Sequence, residues 1–356
     1  MAGLAETIKT PVTELFGIKH PIMLAGMNVA AGPDLAAAVS NAGGLGVIGG
    51  VGYSPDFLRS QIAHLKGGLK DKSAPFGVDL LIPQVGGSAR KTNVDYTGGQ
   101  LPDLIDVIIE QKASLFVCAV GVPPKFAVDK LHQAGIPVMN MIGHPKHVQK
   151  CLEAGCDMIC AQGGEGGGHT GDVATSILIP KVVDLCRGKL SPLTGKPVTV
   201  VAAGGIYDGR GLAMALNFGA DAVWVGTRFV ACAEAGATKL HKTRLCEATV
   251  DSTVRTLIYT GRPMRTLRTD YVNNWEERQE EIKALTKQGI VPVKKESKER
   301  KARGDPPRPA SETMMMVMGQ CAGAIDDIKT ADAIISDMVR GAIEVMRQSA
   351  GRISKL

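Results

Sequence analysis

The amino-acid sequence predicts an α/β fold: a closed (β/α)8 barrel with an added, mainly helical subdomain after the eighth strand. Three observations lead to this class. Eight short, near-continuous apolar runs recur through residue 227, as strands covered on both faces of a parallel sheet require. Helix-like segments separate those runs. Beyond the eighth run the pattern changes to helical pieces interrupted by a charged, Pro-containing stretch.

The predicted strands, in order, are PIMLAG (21–26), LGVIGG (45–50), FGVDLL (76–81), LFVCAV (115–120), PVMNMI (137–142), MICAQG (158–163), VTVVAAGG (198–205) and AVWVGT (222–227). Between them PDLAAAVSNAGG, SPDFLRSQIAHLKGG, KFAVDKLHQAG, PKHVQKCLEAG and DGRGLAMALNFGA read as helices. Several open on Pro, Ser or Asp and stop at Gly, because a side-chain oxygen satisfies the first free N–H groups and Gly turns left-handed at the end. Eight such units favour a closed TIM barrel over an open doubly wound sheet. The barrel is expected over residues 1–236 and the mainly helical, substrate-covering subdomain over 237–318. A C-terminal segment over 319–356 returns to helical periodicity and is expected to pack back on the barrel.

Composition narrows the function classes. A chain of 356 residues with 44% hydrophobic residues buries a full core, and the net charge of +6 is modest for that size. Basic residues concentrate in 284–308, a run expected to be a solvated face, and only 4% of residues are aromatic, which argues against a base-stacking nucleic-acid platform. The eight cysteines form no CxxC pair and no metal-ligand spacing, and read as free thiols of a reducing compartment. No run of 18 apolar residues exists and the N-terminal stretch has no signal-peptide core, so neither membrane insertion nor secretion is expected.

The last three residues, Ser354, Lys355 and Leu356, spell the C-terminal address read by the peroxisomal import receptor. In a eukaryotic cell this predicts peroxisomal import; otherwise the chain is expected in the cytoplasm. A fluorescent fusion with a free C-terminus should collect in puncta that coincide with a peroxisomal marker. Deleting the tripeptide should disperse it, and puncta that survive the deletion would mean another determinant operates.

In a barrel of this kind the site is built from loops at the carboxyl ends of the strands, and the loops after the seventh and eighth strands commonly hold phosphate. Gly204 and Gly205 follow VVAA and Gly226 and Thr227 follow AVWV. Glycine there lets backbone N–H groups approach phosphate oxygens, and a helix opening at Asp208 aims its positive end the same way. The loop after the sixth strand, AQGGEGGGHTG (161–171), carries one histidine and one carboxylate among six glycines. His169 is therefore the candidate acid or base, because an unperturbed imidazole exchanges a proton near neutral pH. Glu165 is expected to cap or tie the glycine loop.

These segments, AQGGEGGGHTG followed by VVAAGGIYDGRG and GADAVWVGTRF, resemble the nitronate monooxygenase family, formerly called 2-nitropropane dioxygenases. The family comprises FMN-dependent barrel enzymes and includes NAD(P)H:quinone reductases and a flavin-dependent enoyl-acyl-carrier-protein reductase. The resemblance runs from PIMLAGM at residue 21 to GQCAGAI near residue 325. It implies FMN as the cofactor and His169 as a catalytic base beside it. Ala25, Gly26 and Met27 match the segment under the flavin ring, Asp79 and Met141 match inward positions near it, and Gly167 matches the loop beside it. Ala203, Gly204, Gly205, Gly226 and Thr227 match the FMN phosphate cradle. Met141 departs from the lysine that some quinone-reducing members carry there.

The resemblance implies oxidation of alkyl nitronates with dioxygen to a carbonyl compound and nitrite. A nitronate already has carbanion character, whereas a neutral nitroalkane must first lose its α-proton, for which His169 would serve. The alternative it admits is an NAD(P)H-dependent or acyl-CoA or enoyl-thioester oxidoreductase, in which Arg262, Arg265 and Arg268, otherwise a salt-bridged surface, would meet CoA phosphates. A non-catalytic flavin-binding protein is a third reading, which His169 in its glycine loop argues against.

Overall fold

The computed structural model describes residues 6–353; Ser354, Lys355 and Leu356 lie outside the described residues. The strands form in chain order as β1 (Ile22–Leu24), β2 (Gly46–Gly49), β3 (Phe76–Leu81), β4 (Leu115–Ala119), β5 (Val138–Ile142) and β6 (Met158–Gln162). After the two-residue β7 (Gly168–His169) come β8 (Thr199–Ala203) and β9 (Ala222–Val225). All of these except β7 pair in parallel in the order β1-β9-β8-β6-β5-β4-β3-β2. A parallel bridge between Met23 and Leu45 joins the two ends, so the sheet closes into the expected eight-stranded barrel. All eight predicted strands are present, each within a few residues of its predicted ends.

The period-2 geometry of a strand sends successive side chains to opposite faces, and the two faces here form two separate cores. Met23, Val47, Leu115, Val117, Met139, Met158, Cys160, Val201, Ala203 and Trp224 fill the barrel interior. Val12, Phe16 and Ile18, from and just after the helix Pro11–Phe16, join that interior cluster. The alternate residues, such as Ile48, Val78, Phe116, Val138, Ile159 and Val223, pack outward against the helices. This explains why the strands read as continuous apolar runs: both faces are dry. The helices stop and start as capping chemistry predicts. Asp208 accepts from Gly211 N–H at 3.0 Å to open the helix Gly209–Asn217, and Ser54 does the same for Pro55–Gly68.

Beyond β9 the chain forms helices, including Lys239–Cys246, Asp270–Glu276, Gln279–Lys287 and Pro292–Arg303, and then the long helix Ala331–Ala350. It also forms an antiparallel hairpin of β10 (Thr253–Thr256) and β11 (Met264–Leu267) that sequence reasoning did not locate. Each hairpin strand has four residues with arginine among them, so no apolar run marks it; the alternation of VRTL and MRTL about Gly261 and Pro263 was the available signal. The hairpin continues into the barrel rim, because β11 pairs antiparallel with β7, Met264 opposite His169. A cluster of Ile258, Tyr271, Val272, Trp275, Ile282 and Leu285 gives this region its own small core. Seven of the eight cysteines are buried, Cys246 is partly exposed, and all are free. Among the described residues no helix is long and apolar enough to cross a membrane.

Candidate active site

The carboxyl-terminal rim of the barrel encloses a cavity of about 1510 Å³. The twelve residues assigned above to the cofactor and the base all line it: Ala25, Gly26 and Met27 after β1, Asp79 in β3, Met141 in β5, Gly167 and His169, Ala203 to Gly205 at the end of β8, and Gly226 and Thr227 after β9. They come from six different segments, which the barrel brings to one end because all eight strands run the same way.

Gly204 and Gly205 adopt left-handed backbone conformations, φ 92° and 74°, that residues with a Cβ occupy only at a cost. The turn leads into the amino end of the helix Gly209–Asn217. Among the described residues neither the Gly204 nor the Gly205 N–H has a protein acceptor, so both are free to meet an anion at a helix amino end. Thr227 Oγ1 accepts from Gly319 N–H at 2.9 Å and keeps its own hydrogen to donate. On β3, Asp79 Oδ1 is buried without a partner, and burial pushes this carboxyl up to about 8. At neutral pH it is therefore largely protonated, a donor in the cavity wall.

The glycine loop is locked from several sides. The Glu165 carboxylate accepts from Thr175 N–H at 3.1 Å and from Thr175 Oγ1 at 2.8 Å, tying the loop to the first turn of the helix Thr175–Cys186. The negative charge sits where that helix's N–H groups are unpaired, which stabilises both. Gln162 Nε2 donates to the carbonyls of Gly167 and His169, both at 3.2 Å. The segment beyond β11 closes the other flank, with Gln320 N–H donating to Glu165 O at 2.9 Å. At Gly167 a Cβ would come within 2.8 Å of Gly319 N, so this approach requires glycine.

His169 is thus held by β7 in the three-stranded sheet, its ring in the cavity wall. Its Nε2 lies 3.0 Å from Thr260 Oγ1, in the turn between β10 and β11. Thr260 Oγ1 also accepts from Arg262 N–H at 3.3 Å and stands 3.4 Å from Arg262 O. Burial, and then the nearby Arg262 charge, lower the imidazole to about 4, so His169 is neutral at physiological pH. Arg262 is fixed in turn, donating to Asn93 Oδ1 at 3.0 Å and to Val120 O at 2.8 Å. Val120 is a β-branched residue at φ 72°, a strained conformation that costs about 1–3 kcal/mol and concentrates at functional sites.

Sequence reasoning missed Thr260, Arg262's link to His169, and Gln162. The first two sit on the hairpin it did not locate, about 90 residues from His169 in the chain. The arginines considered as CoA contacts are largely engaged elsewhere: Arg265 donates to Gly164 O at 3.0 and 3.1 Å, and Arg268 reaches Asn273.

A rim that places free N–H donors in the same cavity as a neutral, desolvated imidazole suits chemistry on a phosphate-bearing ligand, and likeness to known proteins makes the chain a flavin-dependent oxidoreductase built on a (β/α)8 barrel. Comparison with known proteins narrows this. A family model described as nitronate monooxygenase matches residues 9–341, and the chain belongs to that family. It is 38% identical over 269 residues to a 5-hydroxy-7a-methyl-1-oxo-octahydro-1H-indene-4-carboxyl-CoA dehydrogenase of Mycobacterium tuberculosis, covering 76% of this chain and 69% of the relative. A nitronate monooxygenase of Pseudomonas aeruginosa is 34% identical over 286 residues, covering 72% of this chain and 78% of that protein. Among solved structures, FabK from Thermotoga maritima superposes with a TM-score of 0.79 at 34% identity, covering 98% of this chain and all of that one.

Proposed function

We propose that this oxidoreductase uses FMN, and that His169 moves the proton at a carbon next to a strongly electron-withdrawing group. The leading substrate is a nitroalkane or its nitronate, with dioxygen as co-substrate and a carbonyl compound and nitrite as products. The observation that carries the reading is a neutral His169 in the same cavity as the Gly204–Gly205 donors. The residues present fit the cofactor. Gly204, Gly205, Gly226 and Thr227 would hold its phosphate, and Ala25, Gly26, Met27, Asp79 and Met141 would line its ring system. When bound, FMN supplies the electron acceptor that side chains lack.

The chain's own residues supply position and the proton acceptor. Thr260 has one hydrogen and two lone pairs. If His169 donates Nε2–H to Thr260 while Thr260 donates to Arg262 O, the hydrogen and both lone pairs of Thr260 Oγ1 are used and Nδ1 is left as the acceptor. That tautomer makes Nδ1 the base. A second reading, a CoA or enoyl thioester as substrate, is favoured by the size of the cavity. Its volume exceeds the roughly 300–1,000 Å³ typical of small-ligand pockets, and so leaves room for more than a cofactor and a short nitroalkane.

Anaerobic mixing of the purified flavin-loaded protein with propionate 3-nitronate, NADH, NADPH and an acyl-CoA in turn, and of the pre-reduced protein with an enoyl-CoA, tests these readings. Rapid bleaching by the nitronate is expected. Bleaching by an acyl-CoA or a nicotinamide alone would displace the leading reading in favour of that reductant class, and reoxidation of the pre-reduced protein by an enoyl-CoA would displace it in favour of enoyl-thioester reduction.

A further inference from the structure

A second, smaller concavity lies beside the first. Its volume is about 290 Å³, and Arg90, Lys91, Lys283 and Lys287 line it together with Thr92, Thr286 and Gly261. The four cations come from two distant segments: the loop after β3, and the helix Gln279–Lys287 of the region beyond β9. Packing of that region on the barrel rim brings them together, and Thr92 Oγ1 donates to Gly261 O at 3.3 Å across the join. Like charges do not gather in this way without cost. Lys283 pairs with Glu280 at 2.8 Å, but among the described residues Arg90, Lys91 and Lys287 have no ion-pair partner.

The concavity shares a wall residue with the main cavity. Arg90 lines both, and its charge acts on the half-buried Arg262, which acts in turn on His169. A line of cationic groups therefore runs from the surface to the base, and the turn bearing Gly261 and Arg262 forms a wall of both spaces. A ligand that fits this arrangement has a polyanionic end at the surface and a neutral, reactive end inside.

We propose that the Arg90–Lys91–Lys283–Lys287 concavity binds the phosphate-bearing nucleotide end of a carrier-linked molecule whose reactive end lies at His169. The inference rests on the second reading above and names the handle by which such a substrate is recognised. Two carriers share the chemistry of an adenosine with a ribose monophosphate: a CoA thioester, with the 3′-phosphate, and a phosphorylated nicotinamide nucleotide, with the 2′-phosphate.

The test is calorimetric titration of the flavin-loaded protein with adenosine 3′,5′-bisphosphate, adenosine 2′,5′-bisphosphate and unphosphorylated adenosine. It needs no turnover, so it is separate from flavin bleaching or reoxidation by thioesters, which tests the reading itself. The wild type should bind a bisphosphate and not adenosine. Lys91→Glu combined with Lys287→Glu should weaken that binding on the order of tenfold or more, with flavin content unchanged. Lys298→Glu, on the basic helix Pro292–Arg303, alters net charge without touching the concavity and should leave binding intact. Tighter binding of the 3′ isomer assigns the handle to a CoA thioester, and of the 2′ isomer to the nicotinamide nucleotide. Equal affinity in the wild type and the double variant overturns the proposal, as does equal weakening by Lys298→Glu. The first result would move the handle elsewhere, for example to Lys146 and Lys150 on the rim of the main cavity.

Discussion

Replacing His169 by Asn is expected to leave FMN bound and nitronate oxidation largely intact, while lowering kcat/KM for the neutral nitroalkane by roughly 10² to 10⁴. At about 1.4 kcal/mol per tenfold this is a loss of about 3–5 kcal/mol of transition-state stabilisation. Asn keeps a polar planar group near Thr260 but offers no basic nitrogen. The measurement is the ratio of the two activities at equal flavin loading, and an unchanged ratio would remove His169 from the role of base. Glu165→Gln should be milder on both substrates, because Glu165 faces Thr175 and ties the loop. Thr260→Val should cost roughly 10- to 100-fold on the nitroalkane, the size of a lost hydrogen bond to a charging group, and Thr260→Ser should restore most of it.

The same argument fixes a pH dependence. His169 is lowered to about 4, so its basic form is present above that pH and lost as pH falls through it. For the neutral nitroalkane, the acid limb of the kcat/KM profile should fall near 4 and not near the ordinary imidazole value of about 6.5. Stability moves with it. The unfolded imidazole takes up its proton first, so acidification from about 6.5 to about 4 favours unfolding.

Loss of cofactor is the second large effect. Gly205→Leu should yield a colourless, folded protein. The left-handed backbone at this position costs a non-glycine residue roughly 1–2 kcal/mol, small beside the roughly 5–15 kcal/mol that holds a typical domain. An added Cβ there meets nothing closer than Glu165 Cβ at 3.7 Å, so the barrel accommodates the side chain while the anion site does not. Gly204→Leu differs, because its Cβ would lie 2.8 Å from Gly163 N and the β6–β8 junction would have to shift. Flavin absorbance per protein and thermal melting of the two variants separate these outcomes. A Gly205→Leu protein that purifies with a full complement of FMN would mean the phosphate lies elsewhere.

Much of the barrel was legible in the chain because its determinants are local. A strand dry on both faces must be apolar throughout, as LFVCA and VMNMI are, and a strand-to-helix turn must end in groups that free the backbone, as Gly204, Gly205 and Asp208 do. Eight such units admit essentially one closed arrangement, and parallel strands then carry their carboxyl-terminal loops to the same end. Placing His169 with the glycines of β8 and β9 followed from order alone. The sequence by itself therefore determined the barrel, the rim, and the meeting there of His169 with the two glycine turns, while the remaining lining residues were named by the family resemblance.

Only the tertiary structure decided what surrounds His169. The neighbours of its imidazole, Thr260 and Arg262, sit in the turn between two short, half-polar strands; the pairing of β11 with β7 is set by contacts about 90 residues apart, and no local periodicity records such a contact. The histidine's low proton affinity has the same origin. Desolvation is a property of the assembled cavity wall, and the Arg262 charge reaches the ring only once the hairpin has docked. The cluster of Arg90 and Lys91 with Lys283 and Lys287 likewise exists only across the join between two packed regions. In the sequence it is one pair in the loop after β3 and a second pair at the start of the basic run read as a solvated face, because electrostatic fields add over distance in space and not along the chain.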